Sequence, residues 1–133
     1  MRRLMLSAAL ALLAAGCDSN NSVSPSVSLT GNYSLQTVNG QALPYTFSTS
    51  QGTFQLQADV LTLNADGSYQ DIGQYISEDT GQPFTSTEIG TYSAVNGSIT
   101  FFDQTDGIEF SGSLSGSILT EIAGGVTEVF RKE

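Results

Sequence analysis

The chain has 133 residues, 13 acidic and 4 basic side chains, a formal net charge of −9, no His, no Trp and a single Cys. A chain this short holds one domain at most, and its acidity argues against nucleic acid or anionic lipid head groups as partners. With no His and the lone Cys at position 17, Ser-His-Asp and Cys-His catalysis, disulfides and His- or Cys-ligated zinc sites are excluded, no cofactor motif is present, and Asp, Glu and Tyr remain as acid–base groups.

The chain opens with Arg2 and Arg3, then a small and apolar run from Leu4 to Ala15, then Gly16-Cys17. A basic head, about a dozen apolar residues and a small-residue exit form a secretory signal peptide over 1–16. The run is too short for a membrane-spanning helix, which needs about 20 apolar residues. Leu12-Leu13-Ala14-Ala15-Gly16-Cys17 resembles the lipobox of bacterial lipoproteins, with Ala14 where that motif favours Leu. The resemblance implies cleavage before Cys17 and acylation of its sulfur. The expected location is the bacterial cell envelope, held to the membrane by lipid at the periplasmic face or the cell surface. Arg2 and Arg3 leave with the signal, so the mature chain keeps two basic groups, Arg131 and Lys132, against 13 acidic ones, a balance of −11. Membrane attachment must then come from the N-terminal acyl chains and not from a basic patch. Residues 17–30 are polar, Ser-rich and aperiodic, and read as a flexible tether.

A domain is expected over 31–133. Turn signals recur at Asn39-Gly40, Asp66-Gly67, Asn96-Gly97, Asp106-Gly107, Ser115-Gly116 and Gly124-Gly125. Asn-Gly and Asp-Gly supply the positive φ that tight hairpins need. The runs between them are rich in Thr, Tyr, Phe, Ile and Val. Strands are predicted near 31–38, 54–63, 67–76, 88–95, 98–103, 107–114, 117–122 and 126–131. Tyr33, Leu35 and Thr37 share one face, as do Ile108, Phe110, Gly112 and Leu114. Phe54, Leu56 and Ala58 are out of phase with Leu61 and Leu63, which calls for a bulge or bend near Asp59. Gln41–Thr53 reads as a long loop folding over one end. The fold class is all-β, an antiparallel up-and-down barrel of about eight strands, which removes both free edges. A β-sandwich is the alternative.

Gly31-Asn32-Tyr33-Ser34-Leu35, then Val38-Asn39-Gly40 and Leu43-Pro44, and the ending Val129-Phe130-Arg131-Lys132 resemble the small lipocalin-like lipoproteins of bacteria. In lipocalins a Trp on the first strand is covered by an Arg from the last. The resemblance implies that Tyr33 stands in for the Trp and that Arg131 stacks on it to close the barrel.

Tyr33, Leu35, Phe54, Leu56, Tyr69, Tyr92, Phe101 and Phe110 are the candidate lining of a cavity for a small, partly apolar ligand. Core packing is the competing reading, and a small interior favours it. Asp103-Gln104-Thr105-Asp106-Gly107 offers two carboxylates and a Gly, but calcium needs six or more oxygens. An Asx turn at a hairpin explains it without a metal. Glu78 and Asp79 read as solvated loop. Glu109, Glu121 and Glu128 alternate with apolar neighbours and are expected to point outward; an inward pair would suggest a glycosidase-like dyad. The expected function is a non-catalytic, lipid-anchored binding protein. The alternative is a structural or inhibitory module that acts on a partner protein through its loops.

Overall fold

Asn39-Gly40 and Asn96-Gly97 both place two successive residues at positive φ, 51° and 77° in the first pair and 52° and 78° in the second. That is the turn geometry whose twist matches two paired strands. The computed structural model, which describes residues 28–133, has ten strands joined by such turns and short loops. They are β1 (Gly31–Val38), β2 (Gln41–Ala42), β3 (Tyr45–Thr49), β4 (Gly52–Leu63), β5 (Ser68–Ser77), β6 (Pro83–Val95), β7 (Ser98–Asp103), β8 (Ile108–Ser115), β9 (Ile118–Ala123) and β10 (Val126–Lys132). The signal peptide, the lipidated Cys17 and most of the tether expected from the sequence lie outside the described residues.

Strands β4 to β10 form an antiparallel meander, and β1 closes it. One edge of β1 pairs with β10, from Tyr33↔Lys132 to Val38↔Glu128. Its other edge pairs with β4, from Gly31↔Leu63 to Ser34↔Val60. Eight strands thus form a closed ring, which excludes the sandwich. The stretch Gln41–Thr53, expected to be loop, instead supplies β2 and β3. β2 extends the free part of β1 at Thr37 and Val38, and β3 forms a hairpin with the first half of β4.

Two bulges set which residues face inward. The β4 register shifts between Leu56 and Ala58. Leu56 then lies in phase with Asp59, Leu61 and Leu63, all buried, and Ala58 leaves the face expected for it. In β1 the register shifts between Leu35 and Thr37, so Val38 takes the inward position that alternation had given to Thr37.

The barrel end holding the start of β1 and the end of β10 is filled. Tyr33, Leu35, Leu61, Leu63, Tyr69, Ile99, Phe101, Leu119 and Phe130 are buried there in one cluster. Phe101 stacks on Phe110 at 4.9 Å and 8°, and Tyr69 stands edge-on to Phe101 at 5.4 Å. Glycines make room for these rings. Gly90 lies directly opposite Tyr69, and a Cβ there would stand 2.6 Å from the Tyr69 ring and collide with the Phe102 carbonyl oxygen. Gly112 gives the same clearance to Phe101, whose ring would be 2.8 Å from an added Cβ.

Tyr33 is fully buried and donates a hydrogen bond from its hydroxyl to the Leu29 carbonyl at 2.6 Å. The cation over its ring is Lys132, 5.6 Å from the centroid, and not Arg131. The reason is strand parity. Phe130 points into the core, so Arg131 points out, opposite Ser34, and Lys132 returns to the Tyr33 side. The Lys132 ammonium also donates to the Ser28 carbonyl.

Two predictions follow from this packing. Lys132→Ala should cost about 1 kcal/mol, the range of a partly exposed cation–π pair, whereas Arg131→Ala should cost under about 0.5 kcal/mol. Urea midpoints that rank the two variants in the opposite order would contradict the Lys132 closure. Gly90→Ala should destabilise the domain by about 1–3 kcal/mol through overpacking, and a midpoint equal to wild type would show that the Tyr69 ring does not depend on that clearance.

Candidate functional site

The other half of the barrel interior is lined with carboxylates. Asp59 on β4, Asp71 on β5, Glu88 on β6, Asp103 on β7, Glu121 on β9 and Glu128 on β10 all lie at inward positions, the last two and Asp103 near the end formed by the β7–β8 and β9–β10 hairpins. Asp71 is directly opposite Glu88, and Glu121 is directly opposite Glu128. Like charges in such positions repel. Arg131 and Lys132, the two basic residues of the described chain, stand near the far end of β10. Four residues of strand separate Glu128 from Lys132, roughly 13 Å.

The fold therefore places acids where charge is costly and supplies no cation. Their proton affinity rises accordingly. Burial, then a hydrogen bond and charge from Asp59, pushes the Asp71 carboxyl far above the usual carboxylate range. Burial also raises Asp59, against the hydrogen bond from Asp71. Glu121 is raised well above its ordinary value by burial and then by the charges of Asp71, Glu128 and Glu88. Glu88 and Glu128 rise to about 7, again chiefly by burial. Hydrogen bonding leaves this belt incomplete: Asp59 Oδ1, Asp71 Oδ1 and Glu121 Oε1 are buried without a partner.

Glu121 and Glu128 thus face inward, contrary to the expectation from alternation, while Glu109 is exposed as expected. Phe130 fixes the parity of β10 and carries Glu128 inward with it. Leu119 does the same for Glu121 on β9, leaving Ile122 half exposed outside. Asp103 makes the expected Asx turn, accepting from the Thr105 N–H at 2.7 Å. It is also fully buried and sits with Glu88 and Asp106 in a group whose carboxylate oxygens lie within 4.8 Å of one another. Glu88, unremarked in the sequence, joins it only because β6 runs past the end of β7.

Beside the acidic belt the mouth is apolar. Tyr45, Phe47, Phe54, Tyr75 and Phe84 form a chain of ring contacts from β3 to β6; Tyr75 stacks on Phe84 at 5.2 Å and 13°. A cavity of about 360 Å³ is bounded by Val38, Tyr45, Phe47, Leu56, Tyr75, Val126 and Glu128. A second, of about 260 Å³, is bounded by Asp71, Glu88, Asp103, Asp106, Phe110, Glu121 and Glu128 among others. The two share Val126 and Glu128.

The expected lining residues separate accordingly. Leu56 borders the apolar cavity and Phe110 the acidic one. Tyr33, Leu35, Tyr69 and Phe101 belong to the filled core. Phe54 joins the aromatic chain at the mouth. Tyr92 borders a shallow groove with Phe102 and Glu109 and donates its hydroxyl to the Asn64 carbonyl at 2.5 Å. Tyr45 and Phe47 lie in the stretch expected to be loop, although they alternate with Thr46 and Ser48 as strand residues do.

The closed meander of eight antiparallel strands, with its open mouth, defines an up-and-down β-barrel, an architecture that can hold one small ligand. Among solved structures the chain is similar to a lipocalin-like protein from Bacteroides uniformis ATCC 8492, with 20% identity and a TM-score of 0.45 over 79% of this chain and 98% of that one. No protein-family model and no curated protein matches the chain.

The belt makes stability fall as pH rises. Carboxyls of an unfolded chain lose their protons near pH 4, whereas the folded Glu88 and Glu128 keep theirs to about 7 and Asp71 longer still. The folded state then binds more protons across this window, so the unfolding free energy declines from about pH 4 upward. The urea midpoint should drop between pH 5 and pH 8, and Asp71→Asn should flatten that slope. A midpoint that is constant or rises over the window would contradict the buried belt.

Proposed function

We propose that this protein is a lipid-anchored component of the bacterial cell envelope whose barrel binds a small, partly apolar ligand at its mouth. The observation that carries the reading is the cavity of about 360 Å³ walled by Val38, Tyr45, Phe47, Leu56, Tyr75 and Val126. Its size falls in the range of small-ligand sites, which combine apolar walls with few polar groups. Glu128 and the acids beyond it oppose an anionic head group, so the ligand is neutral or cationic at its inner end. The envelope location rests on the signal-like run ending at Gly16-Cys17 and on an acidic domain that needs acyl chains to hold a membrane.

We read the module as non-catalytic. Hydrolysis by two carboxylates works with one acid and one ionised partner, set by environments that push the two apart, whereas burial pushes Glu121 and Glu128 in the same direction. The direct test is binding of an uncharged solvatochromic dye, compared with an anilinonaphthalene sulfonate. The uncharged dye should bind and the anionic one should bind at least about tenfold more weakly, a difference of about 1.4 kcal/mol. Phe47→Ala should weaken the uncharged dye by a similar factor. Equal binding of both dyes, or no effect of Phe47→Ala, would overturn the mouth as the site. Intact mass of membrane-derived protein should show an acylated Cys17; an unmodified thiol there would remove the anchoring half of the proposal.

A further inference from the structure

We propose that the acidic cavity is a site for a divalent cation, calcium by its donor chemistry, held by Glu88, Asp103 and Asp106, with the unpartnered Glu121 lining the same cavity from the buried side. The first observation is geometric. One carboxylate oxygen from each of Glu88, Asp103 and Asp106 lies within 4.8 Å of the others. Calcium–oxygen distances are about 2.3–2.6 Å, so two oxygens on one ion stand at most about 5 Å apart, and the three can meet on a single ion without rearranging the strands.

The second observation is independent of that group. Glu121 comes from β9, on the other side of β8 from the β7–β8 turn. It is only 4% exposed, its Oε1 has no hydrogen-bond partner, and it lines the same cavity of about 260 Å³ as the three acids. A buried carboxylate oxygen without a donor is costly. A cation in the cavity is the partner it lacks. The sequence motif at Asp103–Gly107 was short of acids for calcium, and the fold brings Glu88 to it from β6.

The surroundings fix the donors in place. The Ile89 N–H donates to Thr105 Oγ1 at 3.2 Å, and the Gln104 N–H to the Ile89 carbonyl at 2.9 Å. These bonds tie the β7–β8 turn to β6 beside Glu88. Donor type selects the metal. The only donors are hard oxygens, since the chain has no His and its one Cys is at position 17. That disfavours zinc and copper, which take nitrogen and sulfur. Three carboxylates from two chain segments, Glu88 on β6 and Asp103 with Asp106 at the β7–β8 turn, completed by water, suit the flexible six- to eight-fold shell of calcium better than the strict octahedron of magnesium. The site is distinct from the apolar cavity, with which it shares Val126 and Glu128 as walls.

The test uses the full-length protein in detergent, titrated with calcium chloride and followed by calorimetry and thermal melting, with sodium chloride at matched ionic strength as control. Saturable binding with a Kd at or below about 1 mM, the weak end of calcium modules, and a melting temperature that rises with calcium but not with sodium are expected. Glu88→Gln and Asp106→Asn should each weaken calcium at least about tenfold, while Glu109→Gln, on the exposed face of the neighbouring strand, should leave it unchanged. Asp106 is exposed in a turn, so its variant folds, and its own melting curve without calcium checks this. Absence of saturable binding, an equal rise with sodium, or wild-type affinity in both Glu88→Gln and Asp106→Asn would each overturn the proposal.

Discussion

The molecule depends on β1 having two partners. A meander of seven strands from β4 to β10 would leave β4 and β10 as open edges, and open edges invite pairing with other chains. β1 fills both: Tyr33–Val38 on β10 and Gly31–Ser34 on β4. That double pairing spans nearly the whole described chain, with Glu133 also donating its N–H to the Asn32 carbonyl at 3.0 Å. It fixes which side of every strand faces inward, because closure turns the parity of each strand into a choice between core and solvent.

Closure on one half and splitting on the other produce the two different ends. Along Gly31–Ser34 the ring is tight and the interior is filled by Tyr33, Leu61, Leu63 and Phe130. Beyond Ser34, β1 and β4 diverge, and β2 and β3 pair with their separated edges. The divergence leaves the mouth open and brings Tyr45 and Phe47 to its rim. Apolar burial at one end thus offsets the cost of the acids at the other. A domain with a second filled end would be more stable and would have no cavity.

Much of this was legible in the sequence. Asn-Gly and Gly-Gly pairs marked the turns because few other residues accept successive positive φ, and eight strands followed with their order. The β2 and β3 strands were not read, since β2 is two residues long and Leu43-Pro44 reads as a break. Parity was the harder quantity. On β9 either Leu119 with Ala123 or Ile118 with Ile122 could have formed the apolar face, and only the packing of Leu119 decides for the set that carries Glu121 inward. The same one-residue step separates Arg131 from Lys132. Alternation shows that a strand has two faces; the direction of each face depends on neighbours far away in sequence. The acidic belt was invisible for that reason, since its members stand on six different strands and none is unusual in its own segment.

The belt also constrains what the barrel can take in. A carboxylate buried without a partner is stable only if it is neutral, by holding a proton or facing a cation. Protons alone leave Glu121 Oε1 and Asp59 Oδ1 without a donor. They also impose a neutral state that weakens as pH rises. A group that enters the inner end of the mouth is therefore best matched if it brings positive charge or hydrogen-bond donors; an anionic group adds charge to a belt that has no cation. The aromatic wall sets no such condition, since Tyr45, Phe47 and Tyr75 accept any apolar body of the right size. In the proposed binding mode, selectivity thus rests with the acids and affinity with the rings. That division follows from which side of each strand the closure of β1 turned inward.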